Sequence, residues 1–132
     1  MTDSNQPSSH VFNLASGFSR FTDLWSPKIA GEINNMHLKL VKVKGEFVWH
    51  QHDVEDELFL VIKGTLHMKI KDPIERTLVI NQGEFFIVPH GTEHCPCAEE
   101  ECEIILLEPK ETINTGTAEE CSKTVAVLDR LI

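Results

Sequence analysis

Between Met36 and Pro109 the apolar residues come in short bursts with a period near two, and almost every burst is closed by a turn signal. MHLKLVKV ends at Lys44-Gly45, ELFLVI at Lys63-Gly64, TLHMKIK at Asp72-Pro73, RTLVI at Asn81-Gln82-Gly83 and EFFIV at Pro89-His90-Gly91. EFVWHQH lies between the first two bursts, and EHCPCA and CEIILLEP follow the last, divided by an acidic patch at Glu99 to Glu101. In a strand, alternate side chains face opposite ways, so Leu66, Met68 and Ile70 are expected inside and His67 outside. So many short strands with no helix between them predict an all-β antiparallel sandwich or barrel. With 132 residues there is room for one such domain and not for two.

The barrel is expected over residues 36–110. Residues 1–10 are polar and read as a disordered tail. In residues 11–35, Val11, Leu14, Phe18, Phe21 and Trp25 fall on one helical face, which predicts a short amphipathic helix ended by Pro27 and laid across the barrel. Residues 111–132 form a mostly polar extension whose last part, TVAVLDRLI, could dock as a strand. LFLVI, FFIV and IILL are apolar on both faces, whereas a small barrel buries only its inner one. The N-terminal segment can cover part of the outside. A second copy of the chain is expected to cover the rest, giving a homodimer with Phe47 and Trp49 at the interface.

A net charge of −9 argues against nucleic acid or an anionic membrane surface as partner. No apolar run approaches the roughly 20 residues that span a bilayer, and the N-terminus lacks the apolar core of a secretory signal, so the expected location is cytoplasmic. In that setting Cys95, Cys97, Cys102 and Cys121 are expected as reduced thiols, with Cys95 and Cys97 acting as small strand residues.

The chemistry concentrates in Gly45–Gly64. His50 and His52 stand one residue apart, which on a strand puts both imidazoles on one surface roughly 6–7 Å apart. Glu57 opens the next apolar run. Two histidines and a carboxylate on adjacent strands are the makings of a metal site. Asp56 is the competing acid, and choosing it would shift the strand parity. A further histidine, His94, follows a strand and a tight Pro-x-Gly turn. His67 and His90 are expected to face solvent, and His10 and His37 have no clustered partners. Glu99, Glu100, Glu101 and Glu103 read as a solvated loop and strand edge.

These residues fall into two spaced motifs that resemble those of the cupin superfamily. The first, G-x5-H-x-H-x3,4-E-x6-G, is met by His50, His52, Glu57 and Gly64, with Gly45 one residue closer than the general form. The second, G-x5-P-x-G-x2-H-x3-N, is met by Gly83, Pro89, Gly91 and His94, with Ala98 in place of the final Asn. The likeness narrows to small single-domain bacterial cupins. It implies a jelly-roll barrel of six to eight strands and one divalent metal ion per subunit, held by His50, His52, Glu57 and His94. Fe, Mn, Ni, Cu and Zn all suit that donor set.

Four protein ligands leave two positions open on a six-coordinate ion, as a dioxygenase, decarboxylase or sugar isomerase needs. Glu57 could double as a general base. No second acid–base pair, no Ser/Cys–His nucleophile and no nucleotide-binding loop stand out in the sequence. Leu40, Phe59, Val61, Phe86 and Val88 are expected to line the lumen, which favours a small or partly apolar ligand. Two readings therefore stand: a metal-dependent oxidoreductase or isomerase acting on a small molecule, and a non-catalytic module that binds or senses one.

Overall fold

In the computed structural model of this chain, residues 11–132 are described; the expected tail, with His10, lies outside them. The elements in chain order are α1 (Leu14–Phe18), β1 (Lys28–Ile33), β2 (Met36–Glu46), β3 (Glu57–Lys63), β4 (Thr65–Lys71), β5 (Glu75–Asn81), β6 (Phe85–Val88), β7 (Glu93–Pro109) and β8 (Asp129–Arg130). The strands join in the order β5-β4-β7-β2-β1-β8, and β3 sits between β7 and β6. Strand β7 is the spine. Its first half pairs with β4, from Lys71↔Glu93 to His67↔Cys97, and its second half with β3, from Lys63↔Glu103 to Leu58↔Leu107. Along its other edge runs β2, from Met36↔Pro109 to Glu46↔Cys97. The result is the expected all-β jelly-roll barrel.

The acidic patch does not divide β7, contrary to the two-strand expectation. Glu99, Glu100 and Glu101 point into solvent while the backbone stays extended through the handover from β4 to β3. The expected strand EFVWHQH is not formed either. The register of β2 shifts between Val43 and Gly45, and Gly45 takes a φ of +83°. Beyond Glu46 the chain forms no continuous strand, keeping a Phe47 N–H bond to Pro96 O at 3.0 Å and an isolated bridge between His50 and His94.

Alternation explains the two cores. Val41, Val43, Phe59, Val61, Leu66, Met68, Ile70, Ile104 and Leu106 pack inside the barrel. Residues of opposite parity, Leu40 and Ile105, pack outside beneath Phe18, Phe21 and Ala30. The N-terminal segment thus covers part of the outer face, as its aromatic content requires. Its helix is shorter than the periodicity predicts. Asn13 caps it through a 2.8 Å bond from Ser16 N–H, and it ends by Ser19. Gly17 weakens helix propensity, but it lets Phe12 and Leu40 pack close: a Cβ there would lie 2.5 Å from the Phe12 ring and 2.9 Å from Leu40, so those side chains would have to shift.

Strand β1 was hidden by KIAGEI, which contains a glycine and buries two charges. Lys28 is held by Asp23 at 2.8 Å and Asp129 at 2.9 Å. Glu32 is held by Arg130 at 2.9 Å and Lys110 at 3.1 Å, with His37 Nε2 at 3.6 Å. His37 therefore belongs to a buried charge cluster after all. β8 pairs parallel with β1 at Lys28↔Asp129 and Ile29↔Arg130, so the C-terminal segment does dock as a strand, though a very short one.

Candidate metal centre

Three local structures bring four side chains together. His50 and His52 lie on the connection from β2 to β3, Glu57 opens β3, and His94 is the second residue of β7. His50 and His94 exchange backbone hydrogen bonds of 3.0 and 2.8 Å, and Gly91 N–H donates to His52 O at 2.8 Å. The connection is thus fastened to the Pro-x-Gly turn and to β7, which brings the histidines together without a continuous strand. Their ring centroids lie 5.1 Å apart at 88°.

The ligand atoms of His50, His52, Glu57 and His94 lie within 4.8 Å of one another, and all four residues are buried. An ion about 2.0–2.2 Å from each donor separates its ligands by up to about 4.4 Å, so a contraction of a few tenths of an ångström would let the cluster hold one. His50 Nδ1 lies 2.8 Å from Val48 O and His94 Nδ1 lies 2.9 Å from Thr92 O. Each Nδ1–H donates to its carbonyl, which turns Nε2 toward the cluster, where His94 Nε2 lies 3.1 Å from Glu57 Oε1. His52 Nε2 sits 2.9 Å from Glu57 Oε1 but off the angle of a hydrogen bond, and is left without a partner. An orphaned buried nitrogen aimed into three other ligand groups is what a metal would satisfy.

Protonation fits as well. Burial, reinforced by the neighbouring His94 imidazole, pushes His50 down to about 4, so near neutrality it is the uncharged imidazole that binds metals. Burial pushes the Glu57 carboxyl up, but the adjoining imidazoles of His52 and His94 more than offset this and hold it well below the usual range. Asp56, the competing acid, is exposed and accepts from His90 backbone N–H at 2.9 Å, with His90 Nδ1 at 2.8 Å. Glu57 alone of the two faces the cluster.

Against His50 and Glu57 lies a narrow crevice walled by Trp25, Val41, Phe47, Phe59, Ile104 and Leu106, among others, with about 30 Å³ of free volume. Trp25 and Phe47 stack across it with centroids 4.7 Å apart, and Phe47 meets His50 edge-on at 5.4 Å. Asn114 also borders it, but its amide is occupied: Oδ1 accepts from Val125 N–H at 2.9 Å and Nδ2 donates to Lys123 O at 2.6 Å.

The family model described as a cupin domain matches residues 37–108. The chain belongs to the cupin family. A cupin-2 domain protein from Shewanella frigidimarina NCIMB 400 is 44% identical, with 76% of this chain and 95% of that one covered and a TM-score of 0.72. A protein from Neisseria meningitidis is 26% identical, with 76% and 100% covered and a TM-score of 0.69. The uncharacterized protein YdbB of Bacillus subtilis (strain 168) is 36% identical over 63 residues, 48% of this chain and 54% of YdbB, so the match spans about half of that relative.

Of the side chains expected to line this cupin's lumen, Phe59 faces the crevice. Val61 and Val88 lie in the inner core, and Phe86 packs against it half-buried. Leu40 lies on the outer face instead, because β2 turns Val41 and Val43 inward. Phe47 is corrected too: only 8% exposed, it stacks inside against Trp25 rather than facing a partner. Trp49 does point away, with Lys71 Nζ 4.9 Å above its ring.

The cupin barrel also holds an ion pair that the sequence reading passed over. Lys39 Nζ and Glu108 Oε1 lie 3.5 Å apart, with side chains only 2% and 1% exposed, and Glu108 Oε2 has no partner. Burial pushes the Glu108 carboxyl well up, and the Glu57 charge adds to this against Lys39. Strand parity was the signal: Lys39 shares a face with Val41 and Val43, and Glu108 with Ile104 and Leu106. The four cysteines are free, and burial pushes Cys95 up to about 12, which leaves it unreactive.

Proposed function

We propose that this cupin holds one divalent transition-metal ion through His50, His52, Glu57 and His94 and acts on a small, largely apolar molecule as a dioxygenase-like oxidoreductase. The observation that carries this reading is the apolar crevice lying directly against two of the four ligands. When bound, the ion supplies Lewis acidity and two exchangeable positions. Phe47, Phe59 and Trp25 would limit water on the crevice side of the site. Glu57, 2.9 Å from His52 Nε2 and 3.1 Å from His94 Nε2, would be the carboxylate nearest a molecule in the crevice. The crevice offers no free hydrogen-bonding side chain beyond the ligands. A sugar would leave several buried polar groups unpaired there, each costing about 1–3 kcal/mol, which weighs against an isomerase.

One observation favours the second reading, a binding or sensing module: with Trp25 stacked on Phe47, about 30 Å³ is room for one water-sized group. The two readings separate by oxygen uptake. Protein loaded in turn with Fe(II), Mn(II), Ni(II), Cu(II) and Zn(II) is mixed with a panel of small organic compounds. Uptake that needs both metal and compound, and vanishes in His94→Ala, supports the enzyme. Binding without consumption or conversion of any compound supports the module.

We further propose that the chain is a cytoplasmic homodimer. Phe85 (61% exposed) and Ile87 (48% exposed) of β6 lie beside Leu58 and Leu60 of β3 on the outer face. A second copy would cover this strip. Light scattering on Phe85→Asp is expected to show a monomer where the wild type is a dimer; a wild-type monomer contradicts the assignment.

A further inference from the structure

The C-terminal extension closes on the metal loop at one point. Thr117 N–H donates to Gln51 O at 2.9 Å, and Thr117 Oγ1 accepts from Gln51 N–H at 3.4 Å. The residue between the two candidate histidines is thus bonded through both backbone groups by a segment outside the matched residues 37–108. The approach is possible only because position 116 lacks a side chain. A Cβ on Gly116 would lie 2.2 Å from Gln51 O and 3.1 Å from His50 Cδ2, and Gly116 has a φ of +52°. The strap has its own anchors. Gly116 N–H donates to Ile113 O at 2.8 Å, Asn114 bonds Lys123 and Val125 at 2.6 and 2.9 Å, and the Thr115 and Thr124 hydroxyls meet at 3.0 Å.

We propose that Gly116 and Thr117 are positioning residues of the metal centre, holding Gln51 so that His50 and His52 keep the angle at which both face one ion. Both ligands are peptide neighbours of Gln51, so a shift there moves the two together. This rests on the metal assignment above. Outer contacts that orient ligands typically govern metal affinity by about 10- to 100-fold.

The test is cobalt(II) binding to the full chain, read as affinity and as the visible absorption band that reports coordination geometry. Gly116→Ala adds a Cβ and strains the backbone, whereas Gly116→Asn adds the same Cβ with a residue that tolerates the left-handed region. Both variants are expected to bind cobalt about tenfold or more weakly and to show an altered band at saturation. Wild-type affinity and band in both overturn the proposal, as does an effect confined to Gly116→Ala, which would trace to backbone strain alone. Thr117→Val replaces the hydroxyl with a methyl, keeps the backbone bond to Gln51 O, and decides the matter if neither glycine variant folds: a changed band supports the proposal and an unchanged one overturns it. If the wild type itself binds no cobalt, the metal assignment falls first and the proposal with it; binding by wild type and not by His94→Ala keeps the two separable.

Discussion

His50 and His94, which belong to two different motifs, are joined by a reciprocal pair of backbone hydrogen bonds of 3.0 and 2.8 Å, with ring centroids 4.2 Å apart. Two candidate ligands are therefore placed by the fold before any ion is bound. Removing metal with a chelator is expected to leave the far-ultraviolet dichroism unchanged while lowering the melting temperature. At a metal concentration 100 times Kd the bound ion contributes about 2.7 kcal/mol, or roughly 10 °C for a domain of this size. Loss of the β-sheet signal on chelation would contradict a preformed site.

The Lys39–Glu108 pair predicts a pH-dependent mutant. Lys39→Met leaves Glu108 buried without its cation, at a cost of up to about 3–5 kcal/mol where the carboxyl is ionised. A carboxyl with a raised folded pKa contributes its stability below its unfolded pKa and loses it as the pH rises. The penalty should therefore shrink as the pH falls and Glu108 takes up a proton, and Lys39→Met/Glu108→Leu should recover most of the loss. Urea unfolding at pH 5 and pH 8 checks this, and a penalty that does not change with pH would contradict it.

Glu32 predicts the opposite slope. Burial pushes its carboxyl up, but Arg130 and Lys110 outweigh burial and hold it below the ordinary value. A lowered folded pKa gives stability that is present above the unfolded pKa of about 4.5 and is lost as the pH falls through the folded value. Glu32→Gln should cost about 1.5–3 kcal/mol at pH 7. That difference from wild type should fade under acid conditions, as read by thermal unfolding from pH 7 to pH 3.

Trp25 predicts a change in ligand size. Its ring is pinned by an indole N–H bond to Lys44 O at 2.9 Å and stacked on Phe47. Trp25→Ala is expected to cost less than the ~3–5 kcal/mol of a fully buried Trp, because the residue is half-buried. It should also let imidazole reach cobalt-loaded protein that in the wild type takes up azide but not imidazole. Equal imidazole binding by both proteins would show that Trp25 does not set the width of the crevice.

Most of the barrel was legible because alternation in TLHMKIK matches the burial of β4 residue by residue, and because turn signals bound the apolar bursts such as LFLVI of β3. The candidate ligands were legible because their spacing is carried by chain-local turns. What escaped depended on contacts distant in sequence. β1 is held by Asp129, Arg130 and Lys110 against its buried charges, and KIAGEI alone shows no pattern. Phe47 was assigned outward by strand parity, which fails once Gly45 breaks the register and the chain turns it toward Trp25. The strap on Gln51 comes from residue 117, and no periodicity links the two.

The central claim is a metal ion held by these four side chains, and elemental analysis of the purified wild type beside His50→Ala tests it most directly. The account predicts about one equivalent of a divalent transition metal per chain in the wild type and loss of that metal in the variant. No metal in either protein, or the same metal content in both, would contradict it.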